Sequence, residues 1–153
     1  DEQKTYTETA NPQKFIGTVE SKYYKPVLDN RDIYIAELIK LDTKLCNTQK
    51  GKEEKYLWNF VIYDMDGKLI VQDKNGRVFD KGVSLSLFTT LNYGPKSKNF
   101  DLYQKLTGET LNLGDQYDLQ KCVGKKMRIF VKNVKAKQTG EEFSVIDNFV
   151  PMK

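Results

Sequence analysis

The stretch IYIAELIKLDTKL, residues 33–45, constrains the fold more than any other part of the chain. It is mostly apolar and rich in β-branched side chains, which suit a pleated surface. At ~3.3 Å per residue it would reach roughly 40 Å if straight, far beyond the usual strand of about 5–6 residues. Such a strand fits a small domain only if it curves.

Later segments supply its partners. Asn47–Lys55 (NTQKGKEEK) is expected to be a polar loop, followed by a second strand at Tyr56–Tyr63 and a turn at Asp64–Gly67. Residues 68–82 suggest a small hairpin with Lys74-Asn75-Gly76 at its tip. Val83–Thr90 alternates cleanly and predicts a third strand, after which Pro95 breaks the chain. Ser97–Leu106 predicts a helix, with Ser97 as cap, Asp101 near its positive end and Gly108 as its stop. A loop leads to Val123-Gly124. Met127–Val134 and Phe143–Val150 then form a terminal hairpin joined by KAKQTGEE.

The order strand, strand, strand, helix, strand, strand is that of an OB-fold. This is a mainly β, five-stranded Greek-key barrel with its helix between strands three and four, here with an extra hairpin between strands two and three. Another small α+β barrel, or an open antiparallel sheet carrying one helix, shares that order. The 153 residues suit one domain. Residues 33–153 are expected to form it, and residues 1–32 a partly ordered N-terminal extension. Within the extension, 1–13 read as a tail or an added edge strand, Phe15–Val19 as a short strand, and Tyr23-Tyr24-Lys25 as a packed loop.

Alternation along the strands assigns faces. Trp58, Phe60 and Ile62 share one side of the second strand. Asn59 lies on the other, and it would be costly in a core. Trp58, Phe60 and Ile62 therefore point inward, with Val83, Leu85 and Leu87, and with Met127, Ile129 and Val131. Tyr63, Phe88 and Phe130 point outward. Tyr34 and Lys40 join that outer surface unless a bulge reverses their facing.

An exposed ring among lysines can stack a nucleobase. Phe88 and Phe130 are the candidate stacking residues, with Tyr63 and Tyr93 beside them. Basic charge is clustered: 121–137 hold seven Lys/Arg and no acid, whereas 101–118 hold four acids and one lysine. OB-folds bind oligonucleotides with strands two and three and the loops joining strands one–two and four–five. Lys44, Lys50, Lys52 and Lys55 flank the first loop, and Lys132, Lys135 and Lys137 the second. The candidate phosphate contacts are Lys44, Lys50, Lys52, Lys96, Lys98, Arg128, Lys132, Lys135 and Lys137. Lysine suits loose phosphate contact rather than bidentate readout, so little sequence preference is expected. Alanine at both Phe88 and Phe130 is expected to weaken binding at least about tenfold without unfolding the domain.

Catalytic chemistry is hard to assemble here. The absence of histidine removes Ser-His and Cys-His catalysis and histidine zinc sites. Cys46 and Cys122 have no zinc-ligand spacing, and two distant cysteines suit reduced thiols. No phosphate-binding glycine loop is present. DMDGKLIVQDKNG reads as turns, since neither half fits a calcium loop. No enzymatic activity, cofactor or metal is expected. The longest uncharged run, Gly82–Pro95, is too short and polar to span a bilayer, and residues 1–13 do not read as a secretory signal. No membrane association is expected, and a cytoplasmic location is, in the host cell if the protein is viral.

The sequence from Tyr56 onward resembles a group of phage-encoded OB-fold proteins regarded as single-stranded-DNA-binding. The resemblance is carried by YLWNFVIYD, VSLSLFTTLNYGPKSKNFDLYQKLTG, VGKKMRIFVKN and EEFSVIDNFVP, and most by GPKSKNFDLYQKLTG. It covers about two-thirds of the chain. It implies single-stranded-DNA binding in phage replication or recombination, with replication or recombination proteins as partners. RNA stays open as a second ligand class, and a homo-oligomer is expected because one OB-fold offers few stacked bases. Bacterial single-stranded-DNA-binding proteins end in an acidic recruiting tail, whereas this sequence ends FVPMK. If the chain ends there, such recruitment is not expected. An OB-fold protein-interaction adaptor, a virion structural module or an oligosaccharide binder shares the fold without the DNA.

Overall fold

The computed structural model describes residues 25–153. The predicted strand at Phe15–Val19, the tail 1–13 and Tyr23-Tyr24 lie outside the described residues. The elements run β1 (Ile33–Thr48), β2 (Gly51–Tyr63), β3 (Ser84–Thr89), α1 (Lys98–Thr107), β4 (Lys126–Lys135) and β5 (Glu142–Val150). All strand pairs are antiparallel and form one sheet in the order β3-β2-β1-β4-β5. The fold is mainly β and of OB type. The barrel is not closed, because β3 and β5 form the two edges of the sheet.

The curvature of β1 has a local cause. Leu38 pairs with Phe60 and Lys40 with Asn59, so Ile39 is an extra residue in a bulge. Ala36 and Leu38 face inward before it and Leu41 after it, whereas Ile39 is pushed outward. Tyr34 lies before the bulge, opposite Ile129. It is buried, with its hydroxyl donating to the Asp29 carbonyl at 2.9 Å, so it does not belong to the outer surface.

The predicted loop at 47–55 is instead strand. β1 continues to Thr48 and β2 begins at Gly51, leaving Gln49-Lys50 as a two-residue turn. Gly51 has φ +101°, a region that favours glycine, and the Thr48 hydroxyl accepts from the Lys50 amide at 3.2 Å. The polar composition misled because both faces of this ribbon meet water. No apolar alternation is required there.

Trp58, Phe60, Ile62, Val83, Met127 and Ile129 are fully buried, and Leu102, Tyr103 and Leu106 of α1 cover one mouth of the barrel. Ser97 caps α1 by accepting from the Phe100 amide, and Gly108 ends it at φ +76°. Behind the helix, Trp58 Nε1 donates to the Thr89 hydroxyl, which donates to Asn99 Oδ1. Asn99 Nδ2 in turn holds the carbonyls of Thr90 and Asn92, both at 2.8 Å, which fixes the loop after β3. A one-turn 3-10 helix at Leu119–Cys122 was not legible in sequence; it buries Leu119 and Cys122. Both cysteines are free thiols. Among the described residues, no helix is long and apolar enough to cross a membrane.

Residues 25–28 bridge the open seam. The Pro26 carbonyl accepts from the Ser144 amide of β5, and the Val27 carbonyl accepts from Lys74 of the small hairpin. Asp73 is buried; its carboxylate accepts from the amides of Val27, Asn75 and Arg77, each at 3.0 Å. Asp73→Ala would strand these donors. It is expected to destabilise the protein by about 2–4 kcal/mol, read as a lower denaturation midpoint with an unchanged slope. A midpoint within error of the parent would show that water replaces the carboxylate.

Candidate nucleic-acid interface

Residues paired directly across strands share a face, so the register lays out the outer surface in rows. One row holds Phe88, Leu57 and Asp42, and the next Ser86, Asn59 and Lys40. Ser84, Val61, Glu37 and Lys126 follow, then Tyr63, Ile35 and Arg128, and last Ile33 and Phe130. Phe88 and Phe130 both face outward, 43% and 37% exposed. They lie four rows apart at about 7 Å per row, and on strands three places apart. They occupy opposite corners of the surface rather than one platform.

The ring that joins Phe88 is Phe143. Phe88, Ser84 and Ser86 of β3 form one wall of an open groove of about 240 Å³, and Phe143 and Val145 of β5 form the other. The Lys25 ammonium lies 4.5 Å from the Phe143 ring centroid, and the Lys44 ammonium 6.0 Å from that of Phe88. Lys132 is paired with Val145 across the strands, so a third cation, ion-paired to Asp147 at 3.7 Å, flanks the groove. Among the described residues, no acid lines it.

Phe143 escaped sequence reading for a definable reason. Phe149 faces the core, and counting back in twos makes Phe143 a core residue. A bulge intervenes: Phe130 pairs with Asn148 and Val131 with Ile146, leaving Asp147 extra. The parity reverses, Ser144 turns inward and Phe143 outward.

The other predicted residues scatter. Tyr63 is held by its neighbours: its hydroxyl donates to Glu37 at 2.7 Å, and Lys126 sits 4.9 Å above the ring. The Glu37 bond pushes its phenol above the usual tyrosine range. Tyr93 lies on the far side of the sheet from Phe88. Its hydroxyl bonds that of Tyr56, and its ring meets Tyr56 and Tyr117 edge-on at 6.2 and 5.5 Å. That bond pushes the Tyr56 phenol up to about 12. Lys96 and Lys98 flank the cap of α1, whereas Lys50 and Lys52 sit at the ribbon tip. Arg128 donates to the Pro151 carbonyl at 2.9 Å. Lys135 and Lys137 lie where β4 runs into β5, with Lys135 paired to Glu142 beside Phe143. Among the described residues, no cluster of His, Cys, Asp and Glu could hold a metal ion. Neither a protein-family model nor a curated protein matches the sequence.

Proposed function

We propose that the protein binds single-stranded nucleic acid, DNA foremost, with little sequence preference, and that the Phe88–Phe143 groove holds its bases. The observation that carries this reading is the pair of outward rings on opposite walls of one groove, each with a lysine at its face and, among the described residues, no carboxylate between them. A base entering the groove stacks on either ring and displaces the ammonium toward the adjoining phosphate, exchanging a cation–π contact for a charge pair. Ser84 offers a hydroxyl, and Ser86, whose hydroxyl donates to Asn59 Oδ1 at 2.6 Å, an acceptor, that any base can use. From the groove, Lys40, Lys126 and Arg128 lead toward Phe130 as a path for the backbone, on which Asp42 (ion-paired to Lys40 at 3.3 Å) and Glu37 also stand. The resemblance to phage-encoded single-stranded-DNA-binding proteins supports the same reading. It gives the protein a role in protecting or presenting single strands in replication or recombination.

The test is anisotropy of labelled thirty-nucleotide oligo-dT against its duplex and the matching RNA, over a salt series. About three to five phosphate contacts predict a log–log salt slope of roughly −2 to −3.5 for a single strand. Duplex should bind far more weakly, because its bases are not free to stack. Equal affinity for duplex, or binding insensitive to salt, would overturn the proposal.

A further inference from the structure

On the side of the sheet away from the Phe88–Phe143 groove, aromatic rings meet edge to face. Tyr93 crosses Tyr56 at 78° and Tyr117 at 69°, and Tyr117 crosses Phe100 at 81°. Rings set at such angles present their faces as walls rather than as one flat patch. Hydrogen bonds fix them: the Tyr56 and Tyr93 hydroxyls bond each other, and the Tyr117 hydroxyl donates to the Tyr93 carbonyl at 2.8 Å. The Tyr93–Tyr117 pair is a ridge between two clefts, since both residues line each. The first, of about 350 Å³, is walled by Tyr56 and closed by Asp118 and Gln120. The second, of about 370 Å³, is walled by Pro95, Phe100, Leu111 and Leu113. Leu113 is 99% exposed there.

Among the described residues, no cation lines either cleft. Asp118 Oδ1 accepts from the Gln120 amide at 2.9 Å, and Asp115, in the second cleft, accepts from the Asn112 amide at 2.8 Å. Neither carboxylate has an ion-pair partner among the described residues. Asp42 lends the first cleft no free charge, because its carboxylate is ion-paired to Lys40 at 3.3 Å. Lys52 and Glu54 stand further out on the β1–β2 ribbon and line neither cleft. In a chain of net charge +4, this face keeps two carboxylates beside ring faces without a cation for either.

We infer that this face is the docking surface for an extended basic–apolar peptide segment of a partner protein. An arginine or lysine side chain enters the first cleft, over the tyrosine rings and against Asp118, and an apolar side chain two residues away enters the second. Ring faces attract cations, and a guanidinium can lie flat on a ring while it bonds a carboxylate. Side chains two apart on an extended chain stand on one side of it, about 7 Å from each other. That is enough to straddle a ridge whose two ring centroids are 5.5 Å apart. A free cation would fill the first cleft alone and leave Leu113 uncovered. The inference does not depend on nucleic-acid binding, and its test contains none.

The probe is the end-blocked peptide GRGLG, titrated at millimolar concentration into the isotope-labelled protein and followed by amide chemical shifts. Shifts should gather at Tyr56, Tyr93, Tyr117 and Asp118 and in the loop at Asn112–Asp115. Citrulline in place of the arginine, which keeps the shape and removes the charge, should weaken binding at least about fivefold. Asp118→Asn should do the same, because asparagine can still accept from the Gln120 amide. Tyr93→Leu should also cost at least about fivefold, with an unchanged amide spectrum elsewhere showing that the fold is intact. Moving the leucine beside the arginine, as in GRLGG, should weaken binding by putting the two side chains on opposite sides. No shift on this face, an affinity indifferent to citrulline or to Asp118→Asn, or end-blocked arginine alone binding as tightly as the peptide would each overturn the inference.

Discussion

Alanine at both Phe88 and Phe143 is expected to weaken oligo-dT binding by at least about 30-fold, taking ~1 kcal/mol or more for each stacked base. The domain should stay folded, because Phe88 is exposed and Phe143 half-buried, and neither belongs to the core. Phe88→Trp with Phe143→Trp should keep the affinity, since any flat ring can serve. Phe130→Ala alone should cost less than tenfold. Phe130 lies four rows from the groove, where it would meet only the end of a bound strand. Pairing Phe88 with Phe130, as alternation along the sequence suggests, should give little more than the loss from Phe88. An unchanged affinity in the Phe88/Phe143 double variant, with its fold verified, would remove the groove from the binding surface.

The largest effect on stability is expected from Trp58→Ala, at about 3–5 kcal/mol. Trp58 has no exposed surface and packs where β2, β3 and the helix meet. Its loss leaves a cavity and also unties the first link in the Trp58–Thr89–Asn99 chain that holds the loop after β3. For a domain with a typical stability of about 5–15 kcal/mol, such a loss is a large fraction of the whole. Denaturant titration followed by far-ultraviolet circular dichroism measures it. Phe60→Ala, which keeps the tryptophan as a probe, should fall in the same range. A loss below about 1 kcal/mol for either would mean the core collapses around the gap.

Alternation was a sound guide wherever the strands are regular. Trp58, Phe60 and Ile62 face the core as their spacing requires, and Phe88 faces out. The order of elements agreed with the sheet topology but did not select it, because an open antiparallel sheet carrying one helix shares that order. Legibility ended at irregularities. The bulge at Ile39 shifts the facing of β1, and the bulge at Asp147 turns Phe143 outward. Neither carries a glycine or proline to announce it. The ribbon at 43–55 failed for a different reason: polarity signals exposure, and exposure was equated with loop. The cleft shared by Tyr56, Tyr93 and Tyr117 joins residues 61 positions apart and could not be read from local pattern at all.

The most direct test of the central claim is amide chemical-shift mapping of the labelled protein titrated with short oligo-dT at low salt. Shifts are predicted to gather at Ser84, Ser86, Phe88, Phe143 and Val145, with smaller changes toward Lys126 and Arg128. Tyr93 and the loop at Asn112–Asp115 should stay still. Shifts confined to the tyrosine cleft, or none at saturating oligonucleotide, would contradict the assignment of the outer groove to single-stranded DNA.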